Sequence, residues 1–323
     1  MRMGGATAKL WAPCVALFAA FAAAPAPALD LARPDVRAFA DEMQRKHGFD
    51  AAWLDGILAD AASQPRIIEL ISKPAEAVKP WYEYRDHFLT QERIDAGVAF
   101  WTEHRDEVAK VAKDSGVAPH VIIGILGAET YFGRITGKYR VVDALSTLAF
   151  DYPPRASYFR AELEQFLLLA RDEGFDTKAV LGSYAGAMGN GQFMPRSYRE
   201  WAVDGDGDGR RDLWGSWPDV IASVAHYLSD HGWRAGEQVV VPASLWFPKP
   251  DGLVAGKLAP DSTVKALRDR GLAFETTQGA AAPALFIKVD GATGPEYRAG
   301  FFNFGVITRY NRSVLYALAV NDL

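Results

Sequence analysis

The sequence predicts an α+β protein that is mainly helical, on three observations. Apolar residues recur at helical spacing from Asp35 to about Ala112 and again from Pro119 to about Trp233. Short β-branched runs flanked by Gly and Pro are confined to residues 236–293, and helical spacing returns over Asn303–Val320. At 323 residues the chain has room for about two domains of the usual size and for a sizeable core.

The elements follow in chain order. Residues 1–28 carry Arg2 and Lys9, an apolar run from Leu10 to Ala24, and then Ala26-Pro27-Ala28. A charged start, a short apolar run and small residues at its end read as a secretory signal peptide cut after Ala28. The run is short for a spanning helix and contains Pro13, and no later stretch is apolar enough to span a bilayer, so a soluble exported product is expected. The one cysteine, Cys14, lies inside this run, preceded by Trp11-Ala12-Pro13 rather than by a lipid-attachment sequence. Its removal leaves no thiol for a disulfide, a nucleophile or a Cys-ligated metal. Residues 29–112 read as an N-terminal helical lobe, with Phe39-Met43 and Leu54-Ile57-Leu58 on its apolar stripes. Residues 113–235 form the central helical block, broken at Gly133–Gly137, at Asp151-Tyr152-Pro153-Pro154 and at Gly182–Gly191. Gln238–Pro242 and Ala284–Val289 suit strands and make residues 236–293 a small α+β insertion, after which 294–323 return by helix to the central block.

Composition removes several function classes. With 35 Lys+Arg against 40 Asp+Glu the net charge is −5, which argues against a general nucleic-acid binder that must neutralise phosphates. A 49% hydrophobic content is ample for a core and excludes intrinsic disorder. The six histidines are scattered without a metal-protease frame, and no nucleotide-binding Gly fingerprint follows a strand.

Three segments carry chemistry. His120–Ala128 is apolar nearly all round and should be a buried helix, which places Glu129 at its end. Partial desolvation there disfavours the charged carboxylate, the condition for a general acid near neutral pH, and Gly133 and Gly137 let the chain turn beside it; pairing with Arg134 or Arg140 is the structural alternative. Second, Gly182–Pro195 alternates small residues with Ser183, Asn190 and Gln192 between the flat faces of Tyr184 and Phe193. It lacks the ending of a phosphate loop and the frame of a serine-hydrolase elbow, and amides beside aromatics suit a sugar. Third, Asp204-Gly205-Asp206-Gly207-Asp208-Gly209-Arg210 fits an EF-hand loop, with carboxylates at positions one, three and five, Gly at six and a backbone carbonyl at seven. Helical patterns flank it, but Gly215 stands where the bidentate Glu is expected, which leaves Asp212, Asp219 or water as the last ligand. Most glycosidases need a second carboxylate about 5–9.5 Å from the first. The nearest candidates to Glu129, Asp143 and Asp151, read as structural.

On these segments the chain resembles the lytic murein transglycosylase B family over nearly all of residues 35–323. The resemblance rests on Gly127-Ala128-Glu129-Thr130-Tyr131-Phe132-Gly133, on Ser183–Gly189 through Gln192-Phe193-Met194-Pro195, on the Asp-Gly loop ending in Leu213-Trp214, and on Gly305–Ser313. It implies a lysozyme-like core with a helical lobe and a small β-containing lobe, acting as a monomer in the periplasm on the glycan strands of peptidoglycan. It also implies that Glu129 is the single catalytic residue, first acid and then base. The missing partner carboxylate then fits a mechanism in which the substrate's own N-acetyl group attacks, giving a 1,6-anhydro sugar instead of hydrolysis. Carried over position by position, the family's sugar-contacting residues match Tyr84, Arg155, Ser183, Gln192, Tyr227, Tyr310, Asn311 and Tyr316. Its calcium loop matches Asp204, Asp206, Asp208 and Arg210 through its carbonyl, with Asp219 as the outer ligand. The leader departs from lipid-anchored members in lacking their lipobox. A hydrolytic muramidase on the same fold and a non-catalytic peptidoglycan-binding scaffold are the alternatives, and the intact Glu129 argues against the second.

Overall fold

The computed structural model describes residues 27–73, 79–246 and 252–323, so the leader through residue 26, Cys14 included, lies outside the described residues. The N-terminal lobe is six helices: α1 (Pro34–His47), α2 (Ala51–Asp60), α3 (Pro65–Ser72), α4 (Trp81–Phe88), α5 (Gln91–Glu103) and α6 (Arg105–Ser115). Their ends follow from local chemistry. Asp50 and Thr90 accept the backbone N–H three residues on and start α2 and α5, while Gly48 and Gly116 end α1 and α6 in the left-handed conformation.

Helix α7 (Pro119–Thr130) runs through the middle of the molecule, with Val121 to Gly127 buried without a break. It packs against α5 and α6, against α11 (Trp217–Asp230) and against α14 (Val314–Asp322) near the C-terminus. Contact with α14 is so close that a Cβ built on Gly124 would lie 2.0 Å from the Val320 carbonyl oxygen. Only glycine allows the two backbones to meet there. Helices α8 (Val141–Phe150), α9 (Ala156–Glu173) and α10 (Pro195–Trp201) complete the central block, and α13 (Phe302–Tyr310) leads into α14. A two-stranded ladder of β1 (Tyr139–Arg140) and β2 (Leu181–Gly182) pins the chain after α7 to the Gly-rich segment.

The β lobe is one antiparallel sheet in the order β4-β6-β7-β3-β5, formed by β3 (Val240–Leu245), β4 (Ser262–Thr263), β5 (Leu272–Ala273), β6 (Pro283–Gly291) and β7 (Gly294–Phe301). The short helix α12 (Val264–Asp269) packs against it. Over Ala284–Ile287 both faces of β6 are buried. Leu285, Ile287 and Val289 join the main core, while Ala284 and Phe286 join a second core with Val264 and Leu267 of α12. That accounts for its continuous apolar run. The sheet continues past residue 293, where the sequence pattern ended the insertion: β7 pairs with β6 from Gly294 to Phe301. Its Gly, Pro, Glu and Arg residues hide the strand, because register with β6 and not β-propensity holds it.

Candidate active site

Glu129 lies in the last turn of α7, half-buried, and the chain reverses immediately after it. Tyr131, Phe132 and Gly133 all take the left-handed conformation, with φ of 53, 56 and 81°. For two aromatic residues this costs about 1–3 kcal/mol each and requires surroundings that enforce it. Those surroundings are present. The Phe132 ring stacks on Phe100 with centroids 5.3 Å apart, and its tip sits where a Cβ on Gly97 or Gly127 would be only 3.1 or 2.8 Å away. Thr130, buried, donates to the Asn190 carbonyl at 2.9 Å and accepts the Gly133 N–H at 3.1 Å. Asn190 in turn binds the carbonyls of Leu213 and Trp214, so the turn after Glu129, the Gly-rich segment and the end of the acidic loop are tied together.

An open groove of about 530 Å³ lies beside Glu129, lined by Arg134, Ile135, Thr136, Gly137, Lys138 and Tyr139 on one side and by Ser183, Tyr184 and Gln192 on the other. Gln192 has a left-handed backbone, φ 52°, and its side-chain amide donates to the carbonyls of Thr136 and Gly189, joining the two walls. The Ser183 hydroxyl oxygen accepts the N–H groups of Ala185 and Ala187, at 3.3 and 3.0 Å. Its own proton remains available as a donor. Behind the carboxylate, the buried Tyr316 donates to Glu129 Oε1 at 2.6 Å, and Tyr310 donates to the Gly191 carbonyl at 2.6 Å. Burial, helped by the Glu129 charge, pushes both phenols well above their ordinary range, so both stay protonated donors.

Of the residues matched by resemblance, Ser183 and Gln192 therefore line the groove, and Tyr316 and Tyr310 stand behind it. Tyr84 is buried on α4, its ring 4.9 Å from Phe88 and its hydroxyl within electrostatic reach of Tyr316. Tyr227 is buried as well. Its hydroxyl binds the Arg309 carbonyl, and its ring lies 4.9 Å from Tyr310. Arg155 and Asn311 are exposed and do not line this groove; the Arg155 guanidinium lies over Tyr158 and Phe159. Sequence reasoning missed Lys138 and Tyr139 as lining residues, and it offered Arg134 as an ion-pair partner for Glu129. Arg134 lies over the Tyr131 ring at 4.8 Å. Asp143 and Asp151 are structural, as expected. The first accepts the Ala62 N–H and pairs with Arg140, and the second binds Arg33 and Ser63.

In the acidic loop, oxygens of Asp204, Asp206 and Asp219 lie within 4.8 Å of one another. Asp219 is 1% exposed and its two oxygens accept the N–H groups of Gly205 and Asp212, which fixes it at the start of α11. Three convergent carboxylates with one deeply buried suit a hard cation that takes oxygen ligands. Asp208 turns to the Arg210 N–H, and Asp212 caps the N–H groups of Trp214 and Gly215. Neither belongs to the three-carboxylate group.

A carboxylate at the end of a buried helix, beside an open groove with aromatic, basic and polar walls, in a mainly helical fold with a small sheet, is the arrangement of the lysozyme-like class of proteins. The chain belongs to the transglycosylase SLT domain family, which matches residues 32–323, and is a lytic transglycosylase of peptidoglycan. It is 43% identical over 299 residues to membrane-bound lytic murein transglycosylase B of Escherichia coli K12, covering 90% of this chain and 81% of the relative. Its structure is similar to that of catenated lytic transglycosylase SltB1 from Pseudomonas aeruginosa, with a TM-score of 0.86 and 46% identity over 90% of this chain and 95% of the other. It is also similar to Escherichia coli Slt35 in complex with calcium, with a TM-score of 0.82 and 41% identity over 92% and 94% of the two chains.

Proposed function

We propose that the protein breaks the β-1,4 bond between MurNAc and GlcNAc without water, leaving a 1,6-anhydroMurNAc end, with Glu129 as the only acid and base. The observation that carries this is the groove's composition: Glu129 is the one carboxylate among its lining residues, and Asp143 and Asp151 are committed elsewhere. The nucleophile then comes from the substrate. Glu129 gives its proton to the glycosidic oxygen as the N-acetyl carbonyl oxygen of MurNAc bonds to the anomeric carbon. The resulting carboxylate takes the proton of the C6 hydroxyl, whose oxygen displaces the acetamido oxygen and closes the anhydro ring. Tyr316, which donates to Oε1, holds one carboxylate oxygen through both steps, and the Ser183 hydroxyl donates to the N-acetyl group. Gln192 lines the sugar-binding groove, Tyr84, Tyr227 and Tyr310 support it from behind, and Arg155 and Asn311, exposed outside it, meet the glycan strand beyond the cleavage point. Asp204, Asp206 and Asp219 would hold calcium, with Asp208 and the Arg210 carbonyl as the further oxygen ligands the resemblance implies, and the ion would stabilise the loop. Among the described residues no helix is long and apolar enough to cross a membrane, and the leader directs export to the periplasm, where the chain works as a monomer. Glu129→Gln tests the assignment: it should abolish glycan cleavage while binding to peptidoglycan persists, and activity near wild type would overturn it.

A further inference from the structure

Arg93, the third residue of α5, is a buried cation that the mechanism above does not use. It is 9% exposed and its Nε has no hydrogen-bond partner. A buried charge in such surroundings is costly, and burial accordingly lowers its pKa. Its position relative to Glu129 is specific. Nη1 donates to the Gly127 carbonyl at 3.3 Å, two residues before the acid, in the last turn of α7 where the helix dipole favours a cation. The guanidinium also lies 4.7 Å from the ring centroid of Tyr131, two residues after the acid, and 5.0 Å from that of Phe88. Tyr131 is the left-handed residue that ends α7, and its own N–H binds the same Gly127 carbonyl at 3.2 Å. Tyr131 in turn carries Arg134 of the groove wall over its ring.

We propose that Arg93 is a positioning residue for Glu129: it grips the backbone before the acid and the ring after it, and so fixes the direction in which the carboxylate leaves the helix. The proposal rests on Glu129 being the acid and base. An error of about 1 Å in a reacting group lowers turnover by as much as about a hundredfold, which is the effect a loosened helix end produces.

The test compares Arg93→Met, Arg93→Lys and Glu129→Gln on a soluble, uncross-linked glycan-strand substrate, with thermal melts of each. Arg93→Met removes the buried charge but keeps the apolar stem, so its melting temperature should equal or exceed that of the wild type. Its kcat should fall about tenfold or more with KM within about twofold, since no groove-lining group is removed. Arg93→Lys keeps the charge without the planar fork and should recover part of the lost kcat. Wild-type kcat in Arg93→Met, or a loss confined to KM, overturns the proposal. If Arg93→Met does not fold, Arg93→Lys decides alone: folded with lowered kcat supports the role, and folded with wild-type kcat refutes it. Activity in Glu129→Gln would instead refute the assignment of the acid, which separates the two failures.

Discussion

The Tyr316 hydroxyl donates to Glu129 Oε1 at 2.6 Å although 187 residues separate the two in sequence. The bond joins the end of the central helix α7 to the first turn of α14, where Ser313 caps the helix by accepting the Tyr316 N–H. The close passage of Gly124 past Val320 holds those two helices together, so the bond is a product of backbone packing as much as of side-chain chemistry. Tyr316→Phe keeps the ring and removes the donor. Turnover should fall about 10- to 100-fold while the far-ultraviolet circular dichroism spectrum is unchanged, because one oxygen of the acid loses its anchor. Unaltered kcat would show that the Tyr316 bond is not needed to position Glu129.

The acidic loop should respond to metal. Asp204, Asp206 and the buried Asp219 repel one another with no cation between them, so on the proposed calcium site EDTA should lower the melting temperature and added calcium restore it. Saturation at about 100 times the dissociation constant stabilises by about 2.7 kcal/mol. Asp219→Asn should abolish the calcium response, and an identical transition with and without calcium in the wild type would remove the metal from the account.

Glu162 on α9 supplies a pH prediction away from the groove. Its side chain is buried, Oε2 accepts the Arg196 N–H at 3.0 Å, and burial, the largest influence, raises its pKa above the ordinary range. The folded state therefore holds this proton more tightly than the unfolded one. Stability from this group is full below the ordinary glutamate value, about 4.3, and is lost as pH rises through the higher folded value. Glu162→Gln removes the titrating group. Its stability relative to wild type should be more favourable at pH 7 than at pH 4, as measured by denaturant unfolding at both, and an equal difference at the two pH values would contradict the assignment.

Much of the site was legible in the residues because its signals are local. An all-round apolar run ending in Glu129 predicts a buried helix with an acid at its end, and alternating Asp and Gly predict the metal-type loop. What escaped was set by tertiary contacts. Loop spacing alone left Asp212, Asp219 or water open as the last ligand; Asp219, the residue the resemblance named, joins Asp204 and Asp206 because the first turn of α11 brings it back to the loop, while Asp212 is consumed by its own turn. The strained turn falls on Tyr131 and Phe132, where propensity argues against it, because Gly97 and Gly127 leave room for the Phe132 ring. Arg93 gives no sequence signal at all, since a lone Arg at the start of an amphipathic helix reads as solvated.

The product of a single cut tests the central claim most directly. Purified glycan strands digested to completion and weighed by mass spectrometry should carry one new anhydro end per cleavage, each fragment pair summing to the mass of its parent with no water added. Products in which every cut has gained a water, with a reducing MurNAc end, would show that Glu129 activates water and that the enzyme is a hydrolase.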